Sequence, residues 1–200
     1  MNDFLFYLQL GFSHVLDIQA YDHVLFLIVL VVSSSFKQWK NLLWLVSIFT
    51  VGHSVSLALS AYKIISVNSE LVEFLIPLTI FITATKNIFS PKQSGGNTKL
   101  LWFFSFCFGW IHGLGFSSYF KMIIAGSESK LIELLEFSLG IELAQIAIVF
   151  GVLLPYLFLS PLFKISKRDW ILVVSSIVIG ITIPMLLERY EPFVKQFFRL

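Results

Sequence analysis

The stretch Gly11–Phe26, GFSHVLDIQAYDHVLF, places His14, Asp17, Asp22 and His23 at the head of the apolar segment Val24–Val32. Two imidazoles and two carboxylates are expensive beside hydrocarbon, and ionisable side chains within membrane segments mark a site or an ion path. The other two histidines, His53 and His112, also lie inside apolar runs. Around these groups the chain is strongly apolar: of 200 residues, 57% are hydrophobic and 13% charged, with a mean hydropathy of +0.86. A soluble domain carries about 25% charged residues, so this composition is that of a polytopic membrane protein.

Charged residues divide the chain into six apolar windows close to the ~20 residues that a membrane helix needs. They are Tyr21–Phe36, Asn41–Tyr62, Leu71–Phe89, Leu100–Tyr119, Leu131–Leu159 and Trp170–Leu187. Ahead of them, Phe4–Leu16 is a shorter apolar segment suited to the interface or to re-entry. The predicted fold class is all-α: a polytopic membrane helical bundle of about six transmembrane helices plus a short N-terminal interfacial segment. Residues 1–200 form a single integral membrane domain in this reading. Pro155 and Pro161 are expected to end or kink the fifth window, and Pro184 to kink the end of the sixth. Ser90–Lys99, SPKQSGGNTK, is a loop by composition. The N-terminal MNDFLFYLQL has no basic region, so no cleavable signal is expected.

Lysine and arginine set the expected orientation. Lys37 and Lys40 in the first loop, Lys92 and Lys99 in the third, and Lys164, Lys167 and Arg168 in the fifth outweigh Lys63 in the second and Lys121 and Lys130 in the fourth. Excess positive charge marks the cytoplasmic side, which puts both termini outside. His53 and His112 then lie about 12 residues up two outward-running helices, roughly 18 Å from the inner face. Asp22 and His23 begin an inward-running helix, Glu73 stands at the outer start of the third window, and Glu142 lies about a third of the way down the fifth. These polar groups are expected to converge in the outer half of the bilayer.

A net charge of +2, with no basic arm and no interleaving of basic and aromatic residues, points to no nucleic-acid partner. Cys107 is the sole cysteine, which excludes an intrachain disulfide. Neutral imidazole and carboxylate are ligands for Zn²⁺, Ni²⁺ and related ions. His23, His53, His112 and Asp22 match a divalent metal in ligand type and number. His14 and Asp17, three residues apart, share a face if their segment is helical. Gly109, Gly113 and Gly115 flank His112 and permit close approach of another helix. Glu73, Glu142 and Gln145 are candidates for additional ligands, outer partners or a lower way-station. Ser54 follows His53, and Asn87 is a helix-end group or a brace for a neighbouring helix.

Each residue also has a plainer reading. Asp22 and Asp17 suit helix or turn caps. A single buried histidine is commonly a core residue bonded to a carbonyl. Glu73 and Glu136 suit solvated helix ends, and Phe103, Phe104, Phe106 and Phe108 suit packing. Four histidines accompanied by paired acids favour a site.

Four stretches resemble the HupE/UreJ family, small polytopic proteins associated with hydrogenase and urease accessory functions and regarded as nickel permeases. They are GFSHVLDIQAYDHVLFLIVL (Gly11–Leu30), FTVGHSVSLAL (Phe49–Leu59), FGWIHGLGFS (Phe108–Ser117) and LGIELAQ (Leu139–Gln145), with VEFLIPLTIFITATKN (Val72–Asn87) a weaker match. Ala20 stands where the family usually carries Gly before the Asp-His pair. The resemblance implies a bacterial inner-membrane protein that handles Ni²⁺ or a similar ion, with Asp22–His23, His53 and His112 as its polar core. The bilayer and the metal ion are its implied partners; protein partners are unspecified.

Two functions fit these residues. A permease would dehydrate a divalent ion at the outer face and pass it inward past Glu142 and Gln145. An intramembrane zinc-dependent hydrolase would hold Zn²⁺ on three histidines, with a bound water of pKa about 7. Asp22, Glu73 or Ser54 would then serve as base or orienting group against an amide or ester of a lipid or membrane peptide. The resemblance ranks transport first.

Overall fold

In a hydrocarbon layer the backbone must satisfy its own hydrogen bonds, so runs of Leu, Ile, Val and Phe of this length fold as helices. The computed structural model describes residues 3–18, 20–91, 98–125 and 129–198. Among them are seven α-helices and no strand. They are α1 (Asp3–Val15), α2 (Asp22–Val31), α3 (Trp39–Ala61), α4 (Ser69–Phe89), α5 (Thr98–Ile123), α6 (Lys130–Phe163) and α7 (Lys167–Phe198). A short 3₁₀ turn, Phe36–Gln38, leads into α3.

Four segments among the described residues are long and apolar enough to cross a bilayer: Phe36–Ala61, Ser69–Phe89, Lys130–Phe163 and Lys167–Gln196. The protein is an integral membrane protein. At 26 residues α5 has the length to span as well. The second to sixth windows of the sequence thus correspond to α3–α7.

The first window differs. With 10 residues, α2 is about 15 Å long, half of a ~30 Å hydrocarbon core, and does not span. It stops at Val31 because Ser33, Ser34 and Ser35 follow, residues that favour turns over helix interiors. The carbonyl of Ser34 is taken by Lys167 Nζ at 2.6 Å, which also lies 4.2 Å from the Tyr156 ring. The junction is thereby tied to α6 and α7.

The prolines do not end their helices. α6 continues through Pro155 and Pro161 and closes at Lys164, which adopts the left-handed conformation at φ 53°. α7 likewise continues through Pro184 and Pro192. One missing N–H is tolerated in a long membrane helix whose remaining ladder is intact. Of the loop expected at Ser90–Lys99, residues 92–97 lie outside the described residues, as does Glu128 of the fourth loop.

The principal helix pairs are α3 with α5, α1 with α6, and α4 with α7. Glycine makes the first two pairs close. A Cβ at Gly109 or Gly113 would collide with the carbonyl oxygen of Phe49 or His53, and one at Gly11 with that of Phe137. Ser105 Oγ donates to Leu45 O at 2.7 Å, so residues 105, 109 and 113 climb α5 beside 45, 49 and 53 of α3. The two helices therefore run parallel, and His53 and His112 reach the same height, each roughly 21 Å from its helix start. Below them, the fully buried rings of Phe26 and Phe49 stack at 5.3 Å.

Candidate metal centre

The break between α1 and α2 falls at the histidines. His14 occupies the last turn of α1, and Asp22 and His23 open α2. Its rings meet those of α3 and α5: centroids lie 4.7 Å apart for His14–His23, 5.8 Å for His14–His53, 5.9 Å for His23–His53 and 4.9 Å for His23–His112. His14, His23 and His53 each offer a ring nitrogen within 4.8 Å of the others. Three helices thus deliver three imidazoles to one point, and a fourth ring, His112 of α5, lies beside His23. His23, His53 and His112 are buried to 4%, 0% and 1% exposure, a depth at which an imidazole needs a partner.

Two rings are fixed from behind. Asp22 Oδ1 accepts from the His23 backbone N–H at 2.8 Å and lies 2.9 Å from His23 Nδ1. His112 Nδ1 lies 2.8 Å from Phe108 O. These contacts are the outer-sphere pattern that orients metal-binding histidines and sets the tautomer. In both rings the remaining nitrogen, Nε2, is buried and has no hydrogen-bond partner. The same holds for His14 Nε2 and for both ring nitrogens of His53. Aromatic rings close the surroundings: Phe116 lies 3.8 Å from His14, Phe49 lies 6.2 Å from His53, and Phe26 lies 5.5 Å from His112.

A cavity of about 230 Å³ reaches the cluster, bounded by His14, His23, Asp22 and His112 and, on its other side, by Glu73 of α4 and Arg189 of α7. Arg189 Nη1 donates to the Glu73 carbonyl at 3.1 Å and approaches Glu73 Oε2 to 4.0 Å. A larger open cavity of about 900 Å³ lies beside the α1–α2 break, lined by His14, Asp17 and Phe116 among others.

A second polar layer lies one turn along α3. Glu142 accepts from Ser47 Oγ and, at 2.6 Å, from Thr50 Oγ1. Thr50 Oγ1 is also 2.9 Å from Gln145 Oε1 and 3.2 Å from its own helix's Val46 O. On the other side of His53, Ser54 Oγ meets Ser138 Oγ at 2.6 Å, and Ser138 in turn donates to Leu134 O at 2.6 Å. The seam between α3 and α6 is therefore lined with polar groups above and below His53.

The structure brings His14, His23, His53, His112 and Asp22 together. Asp17 lies past the end of α1 and so does not share a helical face with His14, although both border the larger cavity. Asp22 is not the helix cap; that position belongs to Tyr21. Glu73 stands across the smaller cavity from the histidines, while Glu142 and Gln145 form the seam layer with Thr50. Asn87 is a brace: its Nδ2 donates to Val29 O at 2.7 Å, at the far end of α2. Gly115 faces α4, where a Cβ would meet Ile76. Sequence reasoning missed Ser47, Thr50, Phe116 and Arg189. Thr50 and Ser47 precede His53 at helical spacing on one side of α3, a signal open to inspection.

Apolar spanning helices around a buried histidine cluster, with an acid fixing one ring, define an integral membrane protein with a polar core. The chain belongs to the HupE / UreJ protein family, whose model matches residues 1–188. No curated protein and no solved structure matches it.

Proposed function

We propose that this protein is a membrane permease for a divalent metal ion, nickel or one of similar ligand preference, with the histidine cluster as its loading site. The observation that carries the reading is the set of buried ring nitrogens without partners, three of whose rings converge from three helices with a fourth beside them. His14, His23 and His53 are the ligands in this proposal, His112 is a fourth imidazole beside His23, and Asp22 orients His23. Family membership and the broken α1–α2 pair support it, because interrupted helices in transporters end at their ion sites. The α3–α6 seam, through Thr50, Gln145, Glu142 and Ser47, is the onward path. Lysine and arginine distribution supports placing the cluster in the outer half of a bacterial inner membrane, with both termini outside and the chain acting as one membrane domain.

The smaller cavity also favours a second reading. It borders His14, His23 and His112 and would give water or a substrate access to an ion held by them, as a hydrolytic zinc site requires. In that intramembrane hydrolase Glu73 would act as base. Metal content of the detergent-purified protein, beside a His53→Ala, His112→Ala double variant, tests the site. Uptake into proteoliposomes then separates the readings. Readily exchanged metal that crosses the bilayer supports the permease; metal that is retained and never crosses supports the hydrolase. Absence of metal from the wild type after loading with Ni²⁺, Zn²⁺ and Co²⁺ sinks both.

A further inference from the structure

Among the described residues, Arg189 is the one Lys or Arg on the wall of the smaller cavity, whose other polar side chains are His14, His23, His112, Asp22 and Glu73, with Ile76 and Phe116 among its apolar ones. A guanidinium beside a site for a divalent cation is unfavourable unless something negative stands between them. Glu73 does not fill that role. Its carboxylate stays 4.0 Å from Nη1, outside the bidentate geometry that makes Arg–carboxylate pairs strong, and the two side chains are 55% and 32% exposed. The hydrogen bond Arg189 does make to this partner goes to a backbone carbonyl at 3.1 Å, which uses one of five N–H donors.

Charge and coordination point the same way. A dication on the histidines, with Asp22 and Glu73 ionised and Arg189 protonated, leaves the cavity with one unit of positive charge. Three imidazoles leave a tetrahedral ion one ligand short, and an octahedral ion three short. At about 230 Å³ the cavity has room for several waters or for a small oxyanion.

We propose that this cavity binds a small oxyanion, a carboxylate or phosphate, with one oxygen on the metal and another accepting from Arg189. The inference rests on the metal-binding reading above and deepens it: the ion is taken together with an anion, not as a bare hydrated cation. Glu73 competes with the oxyanion for Arg189.

Co²⁺ is the probe, because its visible absorption reports changes in its own ligands. Co²⁺-loaded protein in a maltoside micelle is titrated with acetate and with dimethyl phosphate. A saturable change in the cobalt bands is expected. Arg189→Gln should weaken the oxyanion at least tenfold with cobalt stoichiometry unchanged, whereas Glu73→Gln should strengthen it. Opposite signs for the two variants are the mark of competition, since a mere α4–α7 tether would respond alike to loss of either partner. Should Arg189→Gln fail to fold, Glu73→Gln decides alone, and binding unchanged or weakened there overturns the proposal. Cobalt bound with a spectrum indifferent to every oxyanion overturns it too and leaves the metal site standing, whereas wild-type protein that takes up no cobalt overturns both. Dihexanoyl phosphatidylglycerol in the same titration separates the sources. A response to that lipid alone assigns the oxyanion to a headgroup, and a response to the free ions assigns it to solution.

Discussion

The histidine cluster and the α3–α6 seam lie one helical turn apart on α3 and are both polar regions inside an apolar protein, yet they are finished differently. In the seam, Ser47 and Thr50 hydroxyls serve the Glu142 carboxylate, Thr50 also lies against the Gln145 carbonyl oxygen, and the Gln145 amide nitrogen alone is left without a partner. In the cluster, five ring nitrogens of four histidines have no partner. A buried polar atom without a partner costs about 1–3 kcal/mol, so several gathered at one point are retained only where something binds them. The seam leaves one amide nitrogen unpartnered, whereas the cluster gathers five imidazole nitrogens of one ligand type, which is what the proposed metal site calls for. The contrast separates a receptor from the seam beside it.

The largest effect is expected from His53→Ala. It removes a ring with both nitrogens buried and unpartnered, whose centroid lies within 6 Å of both His14 and His23. Metal bound to purified protein should fall to background by elemental analysis, with the helical circular dichroism kept. Binding at wild-type stoichiometry would place the ligand elsewhere. Asp22→Asn should come next, with a 10- to 100-fold loss of metal affinity, the usual range when the partner of a metal-binding histidine is altered. The amide still reaches His23 but no longer raises the basicity of its ring. Competition with a chelator measures this, and an unchanged affinity would show that Asp22 serves only the start of α2.

How much of this could be read from the chain depends on what each feature needs. Four histidines and Asp22 stand out because ionisable groups are rare in apolar runs, and the convergence of His53 with His112 follows from equal distances along two parallel helices. The shortness of α2 was hidden: hydropathy continues from Tyr21 to Phe36, and only the serines after Val32 announce that the helix stops. Of the two outcomes expected at the prolines, an end is not seen, since α6 and α7 each continue through theirs. Ser47 and Thr50 are unremarkable as membrane-helix hydroxyls until α6 is set against α3. Arg189, beside Glu188 near the end of the last window, reads as a solvated terminal charge; the pairing of α7 with α4 brings it over the cavity.

A smaller effect on affinity is expected from Glu142→Gln, and it sharpens the comparison from the other side. In the permease reading the seam is a path and not the loading site, so equilibrium metal binding should stay within about threefold of wild type. Uptake into proteoliposomes should slow at least tenfold, because an amide keeps the shape but lacks the charge that would receive a cation leaving the histidines. Loss of equilibrium binding on the scale of His53→Ala would merge seam and cluster into one site.

The smallest effect should come from Thr50→Val, which keeps the branched shape and removes the hydroxyl. Three acceptors surround Thr50 Oγ1, namely Val46 O, Glu142 Oε2 and Gln145 Oε1, at 3.2, 2.6 and 2.9 Å. One hydroxyl hydrogen can satisfy only one of them well at a time, so its deletion removes one good hydrogen bond, not three. In water-soluble cores stranding an acceptor costs about 1–3 kcal/mol. Between membrane helices the measured mean is only about 0.6 kcal/mol, with a maximum near 1.7, because the unfolded chain in lipid also finds partners. Glu142 keeps its bond from Ser47, which argues for the lower figure. Thermal unfolding of Thr50→Val should therefore begin only a few degrees below wild type, and metal affinity should not move. A fall in affinity without a larger fall in stability would show that the seam hydroxyls reach the metal after all, and would erase the distinction between the two regions.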